Sequence, residues 1–429
     1  MTTILINICL QRSQTSIINE IRRGGEVNLG IKITDKVSWV GKVDWELQKF
    51  HGEELSTHKG STYNSYLIQD EKNVLIDTVW TPYRDEFIAR LQETIPLDRI
   101  DYVVVNHAEP DHSGALPALM KLIPDTPVFC TANGVKSLRG MYHQDWDYRV
   151  VKTGAKLDIG SQELLFVEAP MLHWPDTMFT YAMGESILFS NDAFGQHYAS
   201  ESLYNDRVDQ AELMHECLKY YANILTPFSR QVDRKIKEWA GLDLPLSMIC
   251  PSHGIIWRDN PLQIVQQYIR WANNYQENQV TIIYDTMWNS TKKMAEVIAR
   301  GISAADSDIT VKMYNVGKQD KNDIITEVFK SRAVLVGSST INRGILSGMA
   351  GILEEIKGLS FTNKKAAAFG SYGWSGESVK IITEELRAAK FEVINEGLKC
   401  LWTPDRENEA RCYEFGQGIV AALEGWQKV

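Results

Sequence analysis

The spacing of hydrophobic and polar positions changes part-way along the chain. From Ile31 onward, short apolar runs alternate with turn residues and helical spacing is rare. Ile33, Val37, Trp39 and Val40 lead into Gly41. Thr62–Ile68 and Asn73–Thr78 flank Asp70-Glu71-Lys72, a hairpin pattern. Phe87, Ile88 and Leu91 predict a helix over 83–95, and Val103-Val104-Val105 predicts a buried strand. Pro127–Cys130 is a further strand, with its proline in the first position, where a missing N–H is tolerated. Leu164–Val167 and Ser186–Ser190 are also strand-like, and Gln210–Leu225 and Val232–Ala240 predict helices. Strand-rich halves with helices between them suit a four-layer αββα sandwich.

Asn273–Gln279 is polar and linker-like. After it, strands and helices alternate strictly: Val280–Tyr284, Lys292–Gly301, Ile309–Tyr314, Asp323–Lys330, Ala333–Val336, Gly351–Gly358, Lys365–Phe369, Ser378–Ala389 and Glu392–Ile394. Five strands with helices between them predict a doubly wound parallel sheet. The expected domains are therefore 31–277 and 278–429, preceded by residues 1–30. That first segment is read as an extension outside the core, from a start site placed too early.

Composition narrows the classes. A chain of 429 residues exceeds one ordinary core, and 44% hydrophobic with 23% charged residues is globular. The net charge of −10 argues against nucleic acid or an anionic membrane as partner. No apolar run reaches the length of a membrane span, and the patch in Met1–Leu10 lacks the basic flank of a signal peptide. A cytoplasmic protein is expected. The six cysteines form no C-x-x-C pair, so neither a disulfide framework nor a four-cysteine metal site is expected inside the chain.

The candidate chemistry begins where the strand at Val105 ends. Asn106-His107-Ala108-Glu109-Pro110-Asp111-His112 places four metal-capable side chains in one turn, and Ser113-Gly114-Ala115-Leu116 reads as the start of a helix. Glu109 and Asp111 repel each other unless a cation lies between them. A solvated acidic loop explains one such residue better than it explains all four. Three later segments end strands in the same manner and carry His173, Asp192 and His253. A lone histidine there is more often structural; three in series complete a ligand set.

The turn resembles the metal loop of the metallo-β-lactamase superfamily, usually H-x-H-x-D-H, with Glu109 in place of the second histidine. The resulting H-x-E-x-D-H is similar to that of the flavodiiron proteins, a resemblance that runs through essentially the whole chain from Ile31. It implies a metallo-β-lactamase-like αββα sandwich followed by a flavodoxin-like doubly wound sheet. It also implies that one metal takes His107, Glu109 and His173, the other Asp111, His112 and His253, and that Asp192 bridges them. A carboxylate in place of a neutral imidazole favours a ferric state, so two irons are expected rather than zinc. His51, His197 and Tyr221 are candidate catalytic neighbours that orient a ligand or deliver protons, with Tyr220 and Trp174 beside them. Packing or an ordinary surface position is the plain alternative for each. His58, His143 and His215 are expected at the surface.

In the second domain, Thr286-Met287-Trp288-Asn289-Ser290-Thr291 joins a strand to a helix through a hydroxyl-rich loop. It matches neither G-x-x-x-x-G-K-[ST] nor G-x-G-x-x-G, and it resembles the phosphate loop of flavodoxins, which hold FMN. Ser338-Ser339-Thr340-Ile341-Asn342 and Ser371-Tyr372-Gly373-Trp374-Ser375-Gly376 follow the third and fourth strands in flavodoxin order. Trp288, Tyr372 and Trp374 offer stacking faces for a flat ring.

The resemblance implies reduction of nitric oxide to nitrous oxide, of dioxygen to water, or both. Electrons would come through FMN from a separate rubredoxin, itself reduced by an NAD(P)H-dependent reductase. A head-to-tail homodimer, or a dimer of dimers, is expected. One alternative is a zinc-dependent hydrolase acting through metal-bound hydroxide, with an accessory flavodoxin domain. Another is a non-catalytic flavin electron carrier with a vestigial metal site.

Overall fold

The computed structural model of the chain describes residues 30–423. The expected N-terminal extension lies outside the described residues, Gly30 excepted. Contacts group the chain into two compact units. One holds residues up to Asp44 with Thr62–Glu168 and Asp176–Asn191; the other holds Trp45–Ser61, Ala169–Pro175 and the chain from Asp192 onward.

In the first unit a seven-stranded sheet runs Ile31–Lys32, Val37–Trp39, Tyr66–Ile68, Asn73–Ile76, Ile100–Val104, Val128–Cys130, Tyr148–Val150. The predicted hairpin pairs Tyr66 with Ile76 antiparallel, and the last three pairings of the sheet are parallel. Strands covered on both faces carry continuous apolar residues, which is why Val103 to Val105 show no alternation and are buried. Pro127 lies just outside its strand, and its carbonyl accepts from Val103 N–H at 3.0 Å. Antiparallel strands Lys156–Asp158, Glu163–Glu168, Met178–Ala182 and Ile187–Asn191 pair in that order. Phe129 stacks on Phe166 with centroids 6.1 Å apart, and Tyr66 meets Phe189 at 5.2 Å, so rings from the two sheets share one core.

The reading of the sequence missed some of these elements. Met178–Ala182 is buried at every position and so has no period, while Lys156–Asp158 is largely exposed and polar. Helix Ala132–Tyr142 is disguised by Gly134 and Gly140; Thr131 caps it by accepting from Gly134 N–H at 3.0 Å.

The second unit contains a wholly parallel sheet, in the order Thr310–Asn315, Gln279–Asp285, Ala333–Ser338, Lys365–Tyr372, Glu392–Val393. That 2-1-3-4-5 order is the flavodoxin-like doubly wound arrangement. Five strands were expected. A sixth, Leu398–Leu401, pairs with the far end of Lys365–Tyr372, after a turn in which Gly397 takes φ +80°. The predicted helix Gln210–Leu225 is α-helical only to Tyr220; a π-turn follows over Tyr221–Leu225. Helix Arg406–Leu423 was also unforeseen. Its buried stripe of Cys412, Gly416, Ile419, Val420 and Leu423 has helical spacing, but glycine weakens the apolar signal. Among the described residues, no helix is long and apolar enough to cross a membrane.

That glycine is a packing requirement. A Cβ on Gly416 would lie 2.3 Å from the Ile298 carbonyl oxygen, and one on Gly301 would lie 2.1 Å from that of Tyr413. The helices Ser290–Ala305 and Arg406–Leu423 therefore touch backbone to backbone. Gly301→Ala or Gly416→Ala is expected to lose about 1–3 kcal/mol through overpacking, read as a lower urea midpoint at unchanged slope.

Candidate metal centre and flavin-binding loops

The first unit supplies four of the seven expected ligands. His107, Glu109, Asp111 and His112 are all buried, none more than 7% exposed. Proline at the first helical position starts the turn Pro110–Ser113, which carries Asp111 and His112, with Glu109 just ahead of it. Ser113 Oγ closes the turn by donating to the Ala108 carbonyl at 2.6 Å. His107 Nε2 lies 3.1 Å from Glu109 Oε2, and His112 Nε2 lies 3.3 Å from Asp111 Oδ2.

Two aspartates hold this turn in place, and reading the sequence assigned neither a role. Asp176 Oδ2 sits 3.1 Å from His107 Nδ1 and accepts from Ala108 N–H at 2.7 Å. With Nδ1–H donating to that carboxylate, the Nε2 lone pair is left for a metal. Burial raises the Asp176 carboxyl, but the hydrogen bonds from His107 and from Ala108 N–H help hold the group below the ordinary carboxylate range. Asp77 is wholly buried; it accepts from Asn106 N–H at 2.7 Å and from the Asn191 amide at 3.4 Å. Burial pushes its carboxyl up to about 6. Sequence spacing carries no signal for either residue, because each meets its partner only through the fold.

The second unit supplies the other three. Asp192 and His253 are buried, and the His173 side chain is 11% exposed. His173 Nε2 lies 3.5 Å from one oxygen of Asp192, and His253 Nε2 lies 3.5 Å from the other. One carboxylate thus presents an oxygen to each of two imidazoles. Gly254, at φ +71°, lets the His253 loop press against Gln196, whose Oε1 accepts from Ile255 N–H at 2.8 Å.

These separations fit metal ligands. Two donors on one ion at bond lengths of about 2.1 Å, with angles of 90–110° between them, lie roughly 3.0–3.4 Å apart. The nitrogen–oxygen distances of 3.1–3.5 Å within each unit fall in or beside that range.

The other candidates separate. His197 Nδ1 is 2.9 Å from Ser61 Oγ, and its ring lies 5.0 Å from His253 and 5.2 Å from Tyr220. Trp174 meets His173 edge-on at 6.2 Å. His51 is exposed and stacks on Phe50 at 4.5 Å. Tyr221 has other neighbours: its hydroxyl lies 3.1 Å from Ser229 Oγ, and its ring packs among Tyr268, Trp271 and Phe329. His58, His143 and His215 are exposed.

All three expected flavin loops lie at C-terminal ends of neighbouring strands in the parallel sheet. Asn289, left-handed at φ +65°, turns the first loop into helix Ser290–Ala305, whose first-turn N–H groups face the loop. Three buried hydroxyls converge, one from each loop: Thr291 Oγ1 is 2.8 Å from Ser371 Oγ and 3.0 Å from Ser339 Oγ. Thr340 N–H donates to the Ser371 carbonyl at 2.9 Å, tying the second loop to the third. Trp288 and Trp374 are each 87% exposed, and Tyr372 is half-buried. Met287, Asn342 and Ser375 are exposed, Ile341 and Gly373 are half-buried, and Ser338 and Gly376 are buried. A fourth loop went unforeseen: Trp402 N–H donates to Tyr372 O at 2.7 Å, and Thr403 Oγ1 lies 3.2 Å from Ser290 Oγ. The buried hydroxyl of Thr286 has no hydrogen-bond partner among the described residues, as suits a group awaiting an anion.

A family profile described as ODP family beta lactamase matches residues 62–254, and a flavodoxin profile matches residues 282–416. Anaerobic nitric oxide reductase flavorubredoxins are close in sequence. The one from Aliivibrio fischeri is 56% identical over 91% of this chain and 79% of its own length; that of an Escherichia coli strain is 53% identical over 91% and 82%. The chain belongs to the flavodiiron protein family. Among solved structures, the rubredoxin oxygen:oxidoreductase of Desulfovibrio gigas superposes with a TM-score of 0.89 at 38% identity, covering 92% of this chain and 98% of that one. The flavodiiron protein of Giardia intestinalis gives 0.86 at 34%, covering 90% and 95%. The metallo-β-lactamase-like domain followed by a flavodoxin-like parallel sheet is the fold of this family.

Asp176→Ala is expected to weaken iron binding about 10–100-fold, measured as iron retained against a chelator. Thr286→Ala is expected to weaken FMN binding about tenfold while leaving the melting temperature of the flavin-free protein unchanged, because that hydroxyl has no protein partner to lose.

Proposed function

We propose that this chain is a flavodiiron reductase that converts nitric oxide to nitrous oxide, dioxygen to water, or both. The observation that carries the reading is the buried turn with a carboxylate at Glu109, in one chain with a flavodoxin-like sheet. The relatives in A. fischeri and E. coli are named for nitric oxide reduction, and the D. gigas protein for oxygen reduction with rubredoxin. Two NO with two electrons and two protons give one N2O and one water; O2 with four of each gives two waters.

His107, Glu109 and His173 would hold one iron and Asp111, His112 and His253 the other, with Asp192 offering a carboxylate oxygen to each of His173 and His253. Thr286–Thr291, Ser338–Asn342 and Ser371–Gly376 hold FMN. When bound, FMN and the two irons would supply the electron-transfer chemistry that the reduction needs. Asp176 keeps the His107 Nε2 lone pair directed away from its own carboxylate. Tyr220, rather than Tyr221, is the tyrosine beside His197. Glu109 and the flavodoxin-like sheet both count against a zinc hydrolase.

The electron donor is a rubredoxin-like protein recharged by an NAD(P)H-dependent reductase, and the enzyme works in the cytoplasm. Its functional domains are 31–277 and 278–429. It pairs head to tail, as a dimer or a dimer of dimers, so that the flavin of one subunit meets the irons of the next.

Anaerobic NO consumption with reduced rubredoxin tests the reading. Wild-type protein is expected to turn over with two irons and one FMN per chain. His253→Ala is expected to lose at least 100-fold in rate while its flavin still reduces. Two zincs and no flavin absorbance, or undiminished turnover in His253→Ala, would overturn it.

A further inference from the structure

Helix Gln210–Tyr220 runs directly into the π-turn Tyr221–Leu225, an insertion that re-aims the side chains on either side of it. Beside this junction lies a cavity of about 10 Å³, lined among others by Ser56, His197, Glu216, Lys219, Tyr220 and Asn223. That is about the space one water needs, and the lining offers it several polar partners. His197 and Tyr220 in that lining have rings 5.0 and 6.4 Å from that of His253. Glu216, in the same lining, is half-buried and so within reach of solvent.

We propose that Glu216 is a proton-relay residue, taking protons from solvent and handing them to a single water in this cavity, beside the rings that flank the metal ligand His253. This rests on the reductase reading, since each N2O formed consumes two protons that a buried centre must obtain from outside. In each cycle the Glu216 carboxyl releases its proton to the cavity water and regains one from solvent, so the balance closes without a further reactant.

The surroundings of Glu216 suit the task. From its own helix it faces Glu212 and Lys219, from the opposite helix Asp323, and from the segment before Ser61 it faces Lys59. Both lysines are engaged elsewhere: Lys219 Nζ donates to Asp323 Oδ1 at 2.5 Å, and Lys59 pairs with Glu212. Burial pushes the Glu216 carboxyl up, Lys219 draws it down, and Asp323 and Glu212 add to the rise, for a value of about 7. A folded value above the unfolded one means that ionisation opposes folding. Stability from this group is full below about pH 4.5 and is lost as the pH climbs to about 7. Near neutrality both protonation states are populated, as a relay requires.

Infrared spectroscopy of the full chain with 13C-labelled glutamate, iron-loaded and after chelation, tests the assignment alongside the pH profile of NO consumption. One carboxylic-acid C=O band titrating near pH 7 is expected in both preparations, and it is expected to vanish in Glu216→Gln. That variant is expected to consume NO about 10–100-fold more slowly, with a flattened profile between pH 6 and 8 and unchanged iron content and flavin reduction. Glu216→Asp, which keeps the carboxyl, is expected to regain part of the rate. Wild-type protein with no such band, or Glu216→Gln with the wild-type profile, overturns the relay alone. A wild-type protein that consumes no NO overturns the reductase reading, and the relay with it.

Discussion

Buried carboxylate set against imidazole is the interaction on which the rest of this structure depends. Glu109, Asp111 and Asp192 are nearly inaccessible, and each lies within 3.5 Å of a histidine nitrogen. Removing carboxylates from water costs several kcal/mol apiece unless a partner charge offsets it. Divalent or trivalent cations do so more completely than neutral imidazoles can. The short turn Pro110–Ser113 presents Asp111 and His112, both buried.

A second layer of polar groups maintains that delivery. Asp176 settles which nitrogen of His107 carries the proton, and the same carboxylate grips the backbone of the turn at Ala108. Asp77 joins Asn106, just before the turn, to Asn191, just before Asp192. Thr180 completes the set by donating to Asn106 Oδ1 at 2.7 Å. None of these groups belongs to the proposed ligand set, yet each limits how far a ligand can move. Positional tolerance at a metal site is small, and hydrogen bonds of this kind set it.

The flavodoxin-like part solves a different problem with the same device, the C-terminal end of a strand. Its parallel order leaves a crevice where neighbouring connections diverge, and hydroxyls from three loops converge there. Glycine permits the closest approaches. A Cβ on Gly370 would lie 2.4 Å from the Ser338 carbonyl oxygen, so strand and loop could not meet otherwise. The exposed rings of Trp288 and Trp374 give this face its apolar character.

Much of the fold and of the candidate site was legible in the residues alone. Short apolar runs bounded by turn residues marked many of the strands, and a spacing of 3.6 marked several helices. The H-x-E-x-D-H turn declared itself because two carboxylates crowded among imidazoles are costly to hold without a cation. The three loops that meet at the strand ends of the parallel sheet showed as hydroxyls and glycines after apolar runs. What remained hidden was whatever depends on residues distant in the chain. Met178–Ala182 is buried throughout and has no period to read. Asp176 and Asp77 gain meaning only from partners 69 and 29 positions away. Tyr220 and Tyr221 are adjacent and chemically alike. Successive helical residues point about 100° apart, so which of them faces His197 was decided by how the helix docks, which tertiary packing selects and local sequence does not encode.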